Sequence, residues 1–263
     1  MKPFDADGCV RWLFCFTHPD DEIAVCAWIK RLVNAGAEVF ISWTHDTPVR
    51  EAEARAVAEL LGVPADRLFF HHAKDGHVCE QVRDLLPAFK EMMRRVAPDR
   101  VACAAFEQGH LDHDATNFLV NHSFDGPVFE FPLYHAYDRK LQTINRFAAP
   151  LGEDVIELDP EEQRLKVEVA RRYPSQNIWR LLCLYEAYRI LTLRPALLKR
   201  TERLRLQTHV AFLKPNLPTR LRRRVQRSPQ WLRWVMTVGP VALELADSRE
   251  SLVSHGRELG SIR

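Results

Sequence analysis

Several features are scarce in this sequence, and each scarcity excludes something. No run reaches the roughly 18 consecutive apolar residues a membrane-spanning helix needs. Met1 to Gly8 is polar, and the apolar run behind it is short and broken by Arg11, so no signal peptide is expected. The six cysteines (Cys9, Cys15, Cys26, Cys79, Cys103, Cys183) are scattered and form no C-x-x-C pair. They fit neither a disulfide framework nor a cysteine zinc site, and they read as reduced thiols in a cytoplasmic setting. Internal repeats and low-complexity segments are also lacking. What is present is ordinary for a soluble globular chain: 263 residues, 46% apolar and 27% charged. That length suffices for one α/β domain with an extension.

The net charge of +2 hides an asymmetry. Residues 1–150 carry 16 Lys/Arg and 22 Asp/Glu, whereas residues 151–263 carry 21 and 13. Short apolar strand candidates (Val10–Phe16, Glu38–Thr44, Arg67–His71, Arg100–Phe106, Val128–Phe131) alternate with helical segments. This pattern predicts a Rossmann-like α/β three-layer sandwich with a mostly parallel sheet covered on both faces. Helices are expected again from Pro160 to about Tyr173 and from Trp179 to Leu193. The chain is expected to divide into an α/β domain at 1–190 and a basic, aromatic-containing helical extension at 191–263.

Between Arg194 and Trp234 stand 12 Lys/Arg against one acid, Glu202, interleaved with Leu217, Leu221, Trp231 and Trp234. Basic residues with aromatic anchors suit an anionic membrane surface, so residues 194–235 are a candidate for peripheral attachment at the inner membrane face. A patch for an acidic ligand, a solvated helical face, a tail packed on the domain or a subunit interface of a homo-oligomer is also compatible. No nucleic-acid partner is expected.

Two polar clusters sit at strand ends, where ligand sites form in parallel sheets. The first is Thr17-His18-Pro19-Asp20-Asp21-Glu22, after the first strand; the second is His110-Leu111-Asp112-His113, after the fourth. Three acids and an imidazole in five residues call for a cation, although a helix start with acids complementing the macrodipole has the same appearance. His18, Asp21 and His113 would give zinc two histidines and a carboxylate, leaving a position open for water as in catalytic sites. Asp20 is then placed to take a proton from that water. His110, as an imidazolium, is placed to stabilise an oxyanion or protonate a leaving amine, with Asp112 orienting it.

Those two segments resemble the signature motifs of the PIG-L / LmbE-like family of zinc-dependent deacetylases of N-acetylglucosaminyl compounds. Arg50, Glu53, Leu61 and Gly62, the Asp75-Gly76 turn, Tyr173-Pro174-Ser175-Gln176 and Glu186-Ala187-Tyr188-Arg189 extend the resemblance over roughly residues 10 to 190. It implies His18, Asp21 and His113 as metal ligands, Asp20 as general base and His110 as acid or oxyanion stabiliser. It also implies Arg50 and Asp75 as substrate contacts. Zinc is the implied metal, with ferrous iron as a second candidate. The chain departs from the family at Thr17, where many relatives have alanine, and at Phe106-Glu107-Gln108-Gly109, which has no tyrosine to serve an oxyanion. The expected activity is removal of an N-acyl group, N-acetyl first, from an amino sugar or glycoconjugate. Hydrolysis of an ester or phosphoester at the same site, or a sugar-binding module without catalysis, are the alternatives. Glu22 has no expected role beyond supporting the turn.

Overall fold

The computed structural model describes residues 4–137, 144–193 and 199–260. Five parallel strands, β1 (Arg11–Phe16), β2 (Glu38–His45), β3 (Leu68–Ala73), β4 (Arg100–Ala104) and β5 (Val128–Phe131), lie where the alternation predicts them. Between them run α1 (Cys26–Asn34), α2 (Pro48–Leu61), α3 (Val82–Val96) and α4 (Leu111–Asn121). Two further strands, β6 (Glu153–Glu157) and β7 (Thr201–Leu206), complete a seven-stranded sheet in the order β3-β2-β1-β4-β5-β7-β6. β7 is antiparallel to β5 and to β6.

The sheet is covered on both faces, and β1 shows why. Trp12, Phe14 and Phe16 point to one side and join Trp28, Val57 and Leu61 of α1 and α2. Leu13 and Cys15 point to the other and join Phe89, Phe118 and Trp234. With alternate side chains buried on opposite faces, a strand reads as a continuous apolar run.

α5 (Pro160–Arg171) and α6 (Ile178–Leu191) follow β6, and α7 (Thr219–Val225) and α8 (Pro229–Gly260) close the chain. The basic segment is not an appendage beginning at 191. β7 lies inside the sheet, and its Glu202 is fully buried, accepting the backbone N–H groups of Ala27 and Trp28 at 3.0 and 2.8 Å. Glu202 thus caps the start of α1, beside the first polar cluster, while the Lys166 ammonium at 3.2 Å balances its charge.

The aromatic residues of the basic segment are not available to a membrane either. Trp234 is fully buried, donates its indole N–H to the Phe212 carbonyl at 2.8 Å and packs 5.5 Å from Phe106. Trp231 is 7% exposed. Arginine-aromatic alternation at helical spacing is common to membrane-surface helices and to helices with one buried stripe; α8 is the second kind. Arg220, Arg222 and Arg223 of α7 remain a solvated face, and Arg194 lies outside the described residues. Among the described residues no helix is long and apolar enough to cross a membrane.

Candidate metal centre and active site

The sheet order reverses between β1 and β4. β1 continues to β2 on one side, while β4 lies on the other, paired from Trp12↔Arg100 to Cys15↔Cys103. Loops leaving two such neighbours diverge and open a crevice at their carboxyl ends. The two polar clusters flank that crevice.

Their donor atoms converge. His18 Nδ1 lies 3.2 Å from His113 Nε2, His113 Nε2 lies 3.4 Å from Asp21 Oδ1, and His18 Nδ1 lies 4.0 Å from Asp21 Oδ2. Ligands bonded at about 2.0–2.1 Å in a tetrahedron stand about 3.3 Å apart, so a zinc-sized divalent ion fits this triad. All three side chains are buried. Asp21 is also held from behind: its Oδ2 accepts the N–H groups of Thr17 and His18 at 3.0 and 2.9 Å. Behind His18, Nε2 faces Asp75 Oδ1 at 3.2 Å and Asp112 Oδ2 at 3.6 Å. Carboxylates behind a ligating imidazole orient the ring and raise its basicity. Burial alone would lower the His18 pKa, but Asp112, Asp75, Asp21 and Asp20 outweigh it and hold the value up at about 10. The carboxylates around His18 thus favour positive charge at this point.

The two adjacent aspartates have different environments. Burial works against ionisation of Asp21, yet His113, His18 and the backbone N–H of His18 hold its carboxyl far below the usual range. Burial and the neighbouring Asp21 push Asp20 well above it, with Arg50 and His18 opposing. One is thus an anion suited to a ligand, the other a group that readily binds a proton, the separation by environment that assigns acid-base roles.

Asp20 also sits at φ 122°, a conformation L-residues rarely adopt. Glu22 explains how it is held. This fully buried carboxylate accepts the Asp20 N–H at 2.8 Å, the Trp43 indole N–H at 2.6 Å and the Tyr173 hydroxyl at 2.8 Å. Tyr173 and Ser175 of the Tyr-Pro-Ser-Gln segment thereby gain roles, since Ser175 donates its hydroxyl to Glu53 at 2.6 Å. Arg50 adds a bond from Nη2 to the Pro19 carbonyl at 2.7 Å and approaches Asp20 Oδ1 at 3.4 Å. Its Nη1 is 3.9 Å from Asp75 Oδ2, so both expected substrate contacts reach the crevice.

His110 and Asp112 differ from the expectation. His110 Nδ1 accepts the Asp112 backbone N–H at 3.2 Å, which leaves the ring proton on Nε2. Burial, together with His113 and His18, lowers its pKa to about 4, which favours the neutral ring over the imidazolium. The Asp112 carboxylate does not orient His110. It accepts the amides of Gly76 and Val78 at 2.6 and 3.1 Å and faces His18.

Two site residues escaped the sequence reading. His45, at the end of β2, donates Nδ1–H to the Ala73 carbonyl at 2.7 Å and turns Nε2 toward Asp75 Oδ2 at 3.9 Å. Tyr134, just after β5, stacks on His113 at 5.5 Å between ring centroids and joins Asp20 and Asp21 in lining an apolar cavity of about 60 Å³. Both follow the carboxyl ends of parallel strands, the rule that singled out the other two loops.

The loop from β4 to His110 is packed against the loop after β5 at Gly109. A Cβ there would lie 2.1 Å from the Tyr134 carbonyl oxygen. Gly109→Ala is therefore expected to displace His110 and lower kcat by about 10²-fold, with bound metal retained, as measured by steady-state kinetics alongside metal analysis.

Behind the same loop, buried Glu107 meets Arg205 at 3.0 Å and the Ala148 N–H at 2.9 Å. Burial, partly offset by Arg205, raises its carboxyl from the ordinary 4.5 to about 7. Between those values the folded chain binds more protons than the unfolded one. The contribution to stability is thus full below about 4.5 and lost as the pH rises through about 7. Glu107→Gln is expected to remove on the order of 2–3 kcal/mol of that loss, seen by comparing denaturant unfolding of both proteins across pH 5–8.

Residues 13–124, from β1 through α4, match the family model described as PIG-L, GlcNAc-PI de-N-acetylase. No curated protein matches the sequence. Among solved structures, a deacetylase of the teicoplanin biosynthesis pathway superposes with a TM-score of 0.55 at 16% identity, covering 76% of this chain and 100% of that one. The A40926 pseudoaglycone deacetylase gives 0.55 at 16%, with 77% and 99% covered. The 4-carboxy-2-hydroxymuconate hydratase of Pseudomonas putida gives 0.51 at 15%, with 77% and 98% covered. At such identities the likeness is one of fold. The hydratase illustrates that this fold does not by itself select a reaction.

Proposed function

We propose that this chain is a metal-dependent N-deacylase that removes an acyl group, acetyl first, from an amino sugar or glycoconjugate. The observation that carries the reading is the convergence of His18 Nδ1, Asp21 Oδ1 and His113 Nε2 at ligand spacing, with Asp20 adjacent and raised in proton affinity. The family match over both motifs supports the substrate class. Zinc suits the two-nitrogen, one-carboxylate set, and ferrous iron is the second candidate. A divalent ion held there polarises a carbonyl oxygen and lowers the pKa of water.

The chain's own residues do the rest. Asp20 takes the proton from the water that attacks the acyl carbon and returns it to the nitrogen as the C–N bond breaks. His110, a neutral Nε2–H donor, stabilises the charge developing on the acyl oxygen. Asp75 and Arg50 hold sugar hydroxyls, and His45 Nε2 offers one more acceptor. The products are the free amine and the carboxylic acid.

A panel of N-acetyl and O-acetyl sugars and phosphoesters tests the reaction class. Appearance of primary amine from the N-acetyl compounds is the expected result. Turnover of the esters alone would assign ester hydrolysis, and saturable sugar binding with no turnover of any compound would assign a binding module.

A further inference from the structure

Asp75 stands on a turn with little side-chain packing of its own; its carboxylate is 58% exposed. Gly76, at φ 70°, is gripped on both sides. Its N–H goes to Asp112 Oδ2 at 2.6 Å, and its carbonyl accepts Arg233 Nη2 at 2.7 Å. The same guanidinium forks onto Glu80, with Nε on Oε1 at 2.5 Å and Nη2 on Oε2 at 2.8 Å. Glu80 closes the far end of the turn, its N–H bonded to the His77 carbonyl at 3.2 Å. Arg233 therefore ties both ends of the turn to α8, and the buried Trp234 beside it fixes α8 to the core. Arg233 and Gly76 also line a cleft of about 250 Å³ that runs along His110 and Asp112.

We infer that Arg233 is a positioning residue for the site: it holds the Asp75–Glu80 turn in place, and through the Gly76 and Val78 amides it fixes the Asp112 carboxylate behind His18. The consequence for substrate and metal rests on the hydrolase reading; the clamp itself does not. Planar, bidentate hydrogen bonding plus a third bond to a carbonyl is a pattern that lysine cannot reproduce. The basic C-terminal segment thus enters the site through one fork of hydrogen bonds. The lone acid of that segment, Glu202, supports it from the opposite face of the sheet.

The test is amide hydrogen exchange on the metal-free protein, comparing wild type with Arg233→Ala, Arg233→Lys and Arg83→Ala. Arg83 forms the other fork between this region and α8, on Glu244 at 2.7 and 2.9 Å, away from the turn. Arg233→Ala should speed exchange of the Gly76 and Val78 amides by about tenfold. Arg233→Lys should fall between, and Arg83→Ala should leave both amides as in wild type. Loaded with zinc, Arg233→Ala should also bind the ion several-fold more weakly and show a raised KM with a smaller change in kcat, whereas a merely structural role would alter only thermal stability. Unchanged exchange in Arg233→Ala, or equal acceleration in Arg83→Ala, would overturn the clamp. A wild-type protein that takes up no zinc and releases no amine would instead overturn the hydrolase reading, and the exchange result would still decide the clamp.

Discussion

His113→Ala is expected to leave the purified protein with no tightly bound metal and to lower kcat/KM by at least about 10³-fold. Among the described residues, His18, Asp21 and His113 form one set of converging donors, from two loops that meet through the fold. Removing one leaves His18 and Asp21, which come from a single turn and cannot enclose an ion on the α4 side. The helix itself should survive, because its burial rests on Ala115, Phe118, Leu119 and Val120. A far-ultraviolet spectrum like wild type, with metal absent by elemental analysis, is the expected pair of results. His18→Ala should behave alike, and the double variant should be little worse than either single one, since each already removes the ion.

Asp20→Asn separates chemistry from metal binding. Metal content should stay at the wild-type level, while kcat falls by about 10³-fold, within the range for loss of a general base. Asparagine is the informative substitution, because Asp20 stands at φ 122° and asparagine is among the residues best tolerated at positive φ. Asp20→Gly goes further. It should abolish turnover equally and raise unfolding free energy by about 1 kcal/mol, as the backbone strain held by Glu22 and Arg50 disappears. Stability gained where activity is lost is the signature of a residue kept for its chemistry. A wild-type rate in Asp20→Asn would remove Asp20 from the reaction.

The first five strands and the two polar loops were legible because their signals are local. A parallel strand buried on both faces is apolar throughout, and a site at its carboxyl end interrupts that run with acids and histidines. β7 was hidden for the opposite reason. Thr201 to Leu206 reads TERLRL, and its polar residues suggest solvent. Glu202 and Arg205 are buried because their partners arrive from elsewhere: Lys166 and the α1 amides for Glu202, and Glu107 and Glu130 for Arg205. Partners 36 to 175 residues away in sequence leave no local trace. Trp231 and Trp234 were ambiguous for a related reason, since spacing defines a stripe but not what covers it. Glu22 is another instance. As the third acid of a helix start it invites no special reading, and only the meeting of Asp20, Trp43 and Tyr173 on its carboxylate shows that it holds the strained turn. The Asp112 amide on His110 Nδ1 is a similar case, because that contact belongs to the geometry of the helix start and not to the spacing of the motif.

Reconstitution of the chelator-stripped protein tests the account most directly. Zinc is titrated into it while amine release from an N-acetyl amino sugar is followed. Activity should be absent at the start, rise linearly and level off at one ion per chain, and His113→Ala should show no rise at any ratio. Amine release that is undiminished in the stripped protein, or that appears equally in His113→Ala, would contradict a catalytic centre at His18, Asp21 and His113.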